Sequence, residues 1–408
     1  MVVAIQCITG FNQEDSVLMN RDAQQRGLFR TAVHRTFKDS EAKHGADLEK
    51  FNKCPDEGLA GRRKGDYSKI DEDDGIAPIG TKLKKNDVII GKTIEFTRVS
   101  KNNFSEEKKY TSSRRKRDRS TLMKTDEDCR VEKVVMSCTK DGLRSASLRT
   151  IAFRSPEIGD KVSSLHGQKG IVGMIIPAID MPRTKDGVIP DIIMNVHAVP
   201  SRMTIGMLKE MHMGKLACLE GLIADGTPFR NKTVKEMETL LRDTGLHGLG
   251  KEVMYSGTTG KKLDNPVFLG VCYYQRLRHM VQDKIHGRAR GPNQVLTRQP
   301  VEGRSRKGGF RLGEMERDSL ISHGVSSILI DRLLNNSDRF ETVVCETCGM
   351  LCEGAAPTDT EIPSVLHQKP YCRHCDSSDN IAPVVLPYAL KLLSQELAAC
   401  HVKMKFEF

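Results

Sequence analysis

The chain has 408 residues, 38% hydrophobic and 29% charged. That is enough to bury a core, and its length suits roughly two to four structural units. Sixty-four Lys and Arg against 53 Asp and Glu leave a net charge of +11, which favours a polyanionic partner, nucleic acid first, because neutralised phosphates release counterions; a merely basic soluble protein is the plainer alternative. No apolar run approaches the length of a membrane span, and Met1-Val2-Val3-Ala4-Ile5 lacks the basic region and cleavage site of a signal peptide.

Those first five residues read as a buried strand, and a chain that opens on a core strand is expected to continue something else. Phe11-Asn12-Gln13-Glu14-Asp15 follows, then a segment carrying Arg21, Arg26 and Arg30. Residues 36–150 are more polar, with turns from Asp71 to Gly75 and β-type runs at Val88-Ile89-Ile90 and Val134-Val135-Met136. Between these runs the basic block 108–117 reads as a solvated, mobile loop. Residues 151–312 are dense in Gly and basic residues. One helix is expected from near Met203, carrying Ile205, Leu208, Met211, Leu216 and Leu219 and broken or bent around Gly214. A second starts at Thr233, with Glu236 completing a capping box, and ends before Gly245. A charged helix follows at Glu314-Met315-Glu316-Arg317-Asp318. The last helix begins at Pro387, with Leu386, Leu390, Leu393 and Leu397 on one stripe.

Twelve cysteines could suggest disulfides, but eight are scattered and only four fall into pairs, which suits a reducing compartment with one metal site. Cys345-x-x-Cys348 and Cys372-x-x-Cys375 can each place two thiolates on a tight knuckle. Two knuckles complete a tetrahedral sulfur site, for which zinc is the usual occupant and a structural role the usual one. Cys352 and His374 lie close enough to be alternative ligands, although both break the pairing.

Four further constellations carry charge. Gly159-Asp160-Lys161 and His166-Gly167-Gln168-Lys169-Gly170 combine glycines, which let backbone approach a ligand, with two lysines suited to phosphate. The order is not that of a Walker A loop, and a glycine-rich turn with exposed lysines remains an alternative. In Asn195-Val196-His197-Ala198-Val199-Pro200-Ser201-Arg202-Met203, Pro200 is expected to force an extended approach and Ser201 to cap the next helix. Arg202 would then sit in a first turn, where a cation is disfavoured unless it serves an anion. Residues 281–311 hold eight basic residues against two acidic ones, and five glycines break the stretch into turns. That pattern fits backbone lying close beside a phosphate chain better than a solvated helix. Aromatics are few, so contact with a duplex backbone is favoured over stacking on single-stranded bases. Glu14-Asp15 could reach a hard cation such as Mg²⁺, but alone it reads as a solvated acidic pair.

Taken in order, Phe11-Asn12-Gln13-Glu14-Asp15-Ser16, Gly159-Asp160-Lys161, His166-Gly167-Gln168-Lys169-Gly170, Met181-Pro182 through Pro190-Asp191, residues 195–203, residues 286–292, Gln299-Pro300-Val301-Glu302-Gly303-Arg304-Ser305-Arg306, Gly313-Glu314-Met315-Glu316-Arg317-Asp318 and the cysteine pairs resemble the second-largest, β-like subunit of cellular and large-virus DNA-directed RNA polymerases. The resemblance spans essentially the whole chain, is weakest over residues 36–150, and points to the C-terminal portion of that subunit. It implies a mixed α+β, multi-domain fold. Residues 1–35 and 155–305 would form a β-rich hybrid-binding region, 36–154 an inserted wall or flap, and 306–408 a zinc-bearing anchor and clamp-facing module.

The resemblance also implies roles. Lys161 and Lys169 would contact the RNA end or nucleotide phosphates. Arg202 would hold the phosphates of the incoming nucleotide, and Glu14 and Asp15 would lie near the nucleotide-borne magnesium. Arg288, Arg290, Arg304, Arg306 and Arg311 would support nucleic acid. Partners would be the largest and other polymerase subunits, the missing N-terminal part of the same subunit, template DNA, the RNA transcript and NTPs, with no membrane. The location would be intracellular and reducing: the nucleus, or host cell and virion for a viral enzyme. Leu165, Val162 and Gly287 stand where the family commonly has Arg, an aromatic, and Ser or Ala, departures that lean toward a divergent polymerase such as that of a large DNA virus.

Nucleotidyl transfer needs metals held in line with cations on the triphosphate. The sequence holds no Asp-x-Asp-x-Asp cluster, which in this family lies on the largest subunit, so the chain is expected to be inactive alone. That absence opposes a stand-alone nucleotidyltransferase. A zinc-stabilised nucleic-acid-binding protein would explain the basic stretch and the cysteines, but not the set Glu14, Asp15, Lys161, Lys169 and Arg202.

Overall fold

The computed structural model describes residues 1–407 except 46, 56–58, 102–109, 228, 230–232 and 353–369. The chain divides into two compact units, Met1–Asp283 and Lys284–Phe408.

The first unit is organised on an eight-stranded mixed sheet. Its strand order is Lys251–Glu252, Val267–Val271, Val2–Ile5, Ile192–Met194, Ser16–Asn20, Lys169–Ile176, Lys161–Ser164 and Tyr274–Arg276. Val2–Ile5 runs parallel to Ile192–Met194, and Lys169–Ile176 runs parallel to Ser16–Asn20. The central strands are apolar at successive positions because both faces are covered. Alternate side chains feed two separate cores. Val3, Val17, Met19 and Ile192 pack on one side with Met207 and Met211 of the helix Ile205–Glu220. Ala4, Leu18, Ile176 and Ile193 pack on the other with Met181, Met254 and Leu269.

That helix runs through Gly214 and is not broken there. A Cβ on Gly214 would stand 2.5 Å from the carbonyl oxygen of Val271, and one on Gly270 would stand 2.5 Å from that of Met211. The two glycines let helix and strand backbones touch, so Gly214 serves packing against the sheet. The second expected helix forms as Val234–Asp243, with the Thr233 hydroxyl accepting from the Glu236 N–H and the Glu236 carboxylate accepting from the Thr233 N–H.

Within the same unit, residues 31–154 contribute strands to other sheets. A four-stranded sheet orders Thr31–Ser40, Arg144–Arg154, Cys129–Cys138 and Lys82–Leu83, and a five-stranded sheet includes Asp47–Phe51, Lys92–Lys101 and Tyr110–Asp118. They share a core around Ile76, Leu83, Ile89, Ile90, Met123 and Leu148. The basic block expected as a loop falls partly outside the described residues, at Lys108 and Lys109. From Tyr110 onward it is a strand paired antiparallel with Lys92–Lys101. Pairing with a partner strand decides the backbone here, and a run of charge alone does not report it.

The second unit holds the helices Glu314–Ser322 and Ser326–Ile330, a hairpin of Arg339–Cys345 with Ile381–Pro387, and the helix Tyr388–Ala399. Pro387 is the cap residue of that last helix, as its fixed φ favours, and Leu386 belongs to the preceding strand. Among the described residues no helix is long and apolar enough to cross a membrane.

Candidate functional site

A cleft of about 580 Å³ opens in the first unit, lined by Cys7, Gln13, Glu14, Asp15, Asn195, His197, Ala198, Ser201 and Arg202. The segment that carries Glu14 and Asp15 packs on glycines in the strand Lys169–Ile176. A Cβ on Gly173 would stand 2.3 Å from the Phe11 carbonyl oxygen, and one on Gly170 would stand 2.9 Å from that of Asp15. The Ile171 N–H donates to Asp15 O at 2.9 Å. Gly170 therefore accommodates the chain's own backbone, not a ligand's, and this close approach brings the acidic pair to the cleft. Glu14 has φ +52, a left-handed conformation that non-glycine residues seldom adopt.

Arg202 does not lie in the first turn of a following helix. It closes the five-residue helix Ala198–Arg202, with Pro200 inside the first turn, and the Ser201 hydroxyl donates back to His197 O at 3.3 Å instead of capping. Met203 then takes φ +53, and Thr204 occupies the N-cap position of the helix Ile205–Glu220 without a side-chain cap bond. A proline is tolerated in a first helical turn because its missing N–H has no intrahelical partner there. The Arg202 guanidinium pairs with the Asp15 carboxylate and donates through Nη1 to Gln168 Oε1 at 3.2 Å and Lys169 O at 3.4 Å. On the cleft's other edge the buried Asn195 carboxamide oxygen accepts from the His197 N–H at 3.0 Å and pairs with its Nδ1 at 2.8 Å.

The lysines sit on the neighbouring hairpin. Lys161 pairs with Ile171 and Ser163 with Lys169, so both lysines project from one face while Val162, Ser164 and Gly170 are buried on the other. Asp160 is a structural anchor, not a ligand group. Its carboxylate, 1% exposed, accepts from Arg276 Nη2 at 2.7 Å, Glu157 N–H at 2.8 Å and Val281 N–H at 2.9 Å. The motif glycines and lysines were readable from the sequence. Arg276 was not, because nothing local ties it to Asp160, 116 positions away.

In the second unit the basic residues divide. Arg288 is committed to its own loop, donating to Pro292 O and Lys307 O at 3.0 Å and to Asn293 Oδ1 at 3.0 Å. Arg304, in the 3₁₀ turn Arg304–Arg306, donates through Nε to Ile285 O at 2.9 Å. Arg290, Arg306 and Arg311 are exposed. Arg298 stacks 4.2 Å over the Tyr388 ring.

Cys345, Cys348, Cys372 and Cys375 gather with all four sulfurs within 4.8 Å of one another, the one such metal-competent group among the described residues, and neither Cys352 nor His374 joins them. Cys348 and Cys372 sulfurs stand 3.5 Å apart, and those of Cys345 and Cys375 stand 3.9 Å apart. Thiolates ~2.3 Å from a tetrahedral zinc stand ~3.8 Å from each other, so the spacing fits that ion. Cys345 ends its strand, and the knuckle closes with Gly349 N–H to Cys345 O at 2.8 Å, Gly349 taking φ +68. The Cys348 N–H draws the Cys345 thiol below its usual range.

Comparison with known proteins places this arrangement. RNA polymerase Rpb2, domain 6 matches residues 1–306, and RNA polymerase Rpb2, domain 7 matches residues 308–408. DNA-directed RNA polymerase II subunit 2 of Arabidopsis thaliana is 47% identical over 98% of the chain and 32% of its own length. DNA-directed RNA polymerase II subunit RPB2 of Encephalitozoon cuniculi is 43% identical over 100% of the chain and 34% of its own length. DNA-directed RNA polymerase subunit Rpo2 of Saccharolobus solfataricus is 42% identical over 97% of the chain and 34% of its own length. The chain thus spans about a third of the length of the curated relatives it matches. With both domain families matched end to end, the chain belongs to the RNA polymerase Rpb2 family and corresponds to the C-terminal portion of the second-largest subunit.

Proposed function

We propose that this chain works within a DNA-directed RNA polymerase as the part of the second-largest subunit that grips the RNA–DNA hybrid and the phosphates of the incoming nucleotide. The observation that carries the reading is the convergence of Glu14, Asp15 and Arg202 on one cleft beside a hairpin that presents Lys161 and Lys169 from a single face. In this assignment Arg202 exchanges its Asp15 partner for nucleotide phosphate. A planar guanidinium suits such an anion bidentately, and a cation fixed before the reaction stabilises charge as it develops. Lys161 and Lys169 contact the RNA end or the phosphates. Glu14 and Asp15 lie beside the magnesium that arrives with the nucleotide.

The catalytic metal cluster and the turnover come from the largest subunit, so the chain alone is inactive. Arg290, Arg306 and Arg311 meet nucleic-acid phosphates, while Arg288 and Arg304 shape the loop that presents them. Zinc at the four cysteines supplies structure. The β-rich segments 1–35 and 155–305 act as the hybrid-binding region, 36–154 as the wall and 306–408 as the anchor and clamp-facing module. The location is intracellular and reducing, the nucleus for a eukaryotic enzyme, in keeping with four cysteines gathered as one metal-competent group.

The test is Arg202→Ala in the assembled polymerase. We expect apparent nucleotide KM to rise at least about tenfold, as for a lost charge-assisted contact, with template binding nearly unchanged. Unaltered KM and turnover would remove Arg202 from this role.

A further inference from the structure

The least exposed polar side chain beside Arg202 is Gln168, 3% exposed. Its carboxamide is fully engaged. Oε1 accepts from Arg202 Nη1 at 3.2 Å, and Nε2 donates to Ala198 O at 3.1 Å and to Thr204 Oγ1 at 2.7 Å. These three partners are the first residue of the helix Ala198–Arg202, its last residue, and the cap of the helix Ile205–Glu220. One buried amide therefore spans a five-residue turn that has too few internal hydrogen bonds to hold itself and that ends on Met203 at φ +53.

The second edge of the guanidinium faces Asp15, whose side chain is 46% exposed. The two edges are unequal: one is gripped from inside the fold, the other by a group at the surface. An anion entering the cleft competes for the Asp15 edge and leaves the Gln168 edge in place. The side chain then loses fewer rotamers on binding than a free arginine would.

We propose that Gln168 is the positioning residue for Arg202, fixing its guanidinium so that nucleotide phosphate meets a preset fork. This rests on the assignment of Arg202 to nucleotide phosphate. It predicts that Gln168 acts on nucleotide affinity and acts only through Arg202.

The experiment is a double-mutant cycle in the assembled polymerase, reading nucleotide KM and kcat under saturating template. Gln168→Leu keeps the volume and removes every polar contact. Alone it should raise nucleotide KM about tenfold while kcat moves less than about threefold. On an Arg202→Ala background it should add less than about twofold, since its partner is gone. If Gln168→Leu prevents assembly, Thr204→Val decides. It withdraws one of the amide's acceptors without a cavity, and should raise KM in the same direction by about threefold, again only while Arg202 is present.

An Arg202→Ala effect on KM together with unchanged KM in Gln168→Leu overturns this inference alone. A Gln168→Leu effect that multiplies fully with Arg202→Ala does the same. An Arg202→Ala enzyme with unchanged KM overturns the phosphate assignment and this inference with it.

Discussion

Asp160 and Arg276 meet at 2.7 Å with side chains 1% and 5% exposed, across 116 positions of sequence. Removing one member of such a pair leaves an unpaired buried charge. Asp160→Ala should therefore lower stability by about 3–5 kcal/mol, measured by urea denaturation. Asp118 gives a pH signature. Burial alone would raise its carboxyl, but hydrogen bonds from Ser120, the Tyr67 hydroxyl and the Arg63 N–H prevail and hold it at about 2. A depressed carboxyl stabilises the fold above its unfolded pKa near 4 and ceases to do so as pH falls through its folded value. Acid unfolding of the wild type should steepen between about pH 4 and pH 2, and Asp118→Asn should flatten that limb in circular-dichroism titrations. At this scale the sequence spoke unevenly. Arg202 stood out as a cation near a helix boundary, yet Pro200 was read as keeping the chain extended when it sits inside a first turn. Gln168 stood in a legible motif but its partners did not show, and Arg276 gave no local signal, because those contacts are tertiary.

At the level of elements, the helix Ile205–Glu220 rests on the strand Val267–Val271 through Gly214 and Gly270. Gly270→Ala puts a methyl against Met211 backbone and should cost about 1–3 kcal/mol, read as a shift in unfolding midpoint. A mid-helix glycine suggests a kink when read alone, and only the facing glycine on a distant strand reveals it as a contact. The capping box at Thr233 and Glu236 was legible because both of its bonds are local. The strand Tyr110–Asp118 was not, since its basic side chains obscured the pairing that decides it. The cysteine quartet was legible down to its members, because paired spacing dictates knuckle geometry. We expect one zinc per chain by elemental analysis. Cys372→Ser or chelation should expose the hairpin of Arg339–Cys345 and Ile381–Pro387 to protease while leaving residues 1–283 protected.

For the molecule as a whole, charge is the quantity the sequence reported most directly and the fold then distributed. Arg288 is consumed in shaping its loop, while Arg290, Arg306 and Arg311 remain exposed. If these three meet phosphates, replacing all of them by Ala in the assembled polymerase should reduce the slope of log affinity against log salt by about 2 to 3. A slope that does not change would withdraw them from the interface.

The eight-stranded sheet also has a history in time. Val2–Ile5 is flanked by Ile192–Met194 on one side and Val267–Val271 on the other. On a ribosome, that strand emerges long before either neighbour exists, while the sheets built from residues 31–154 can close among themselves. That apolar strand must therefore wait unpaired until the chain has been made through Met194, and it gains its second neighbour only with Val271. Nascent chains arrested short of Ile192 should carry a protease-resistant 31–154 segment beside an exposed, chaperone-binding Val2–Ile5 strand.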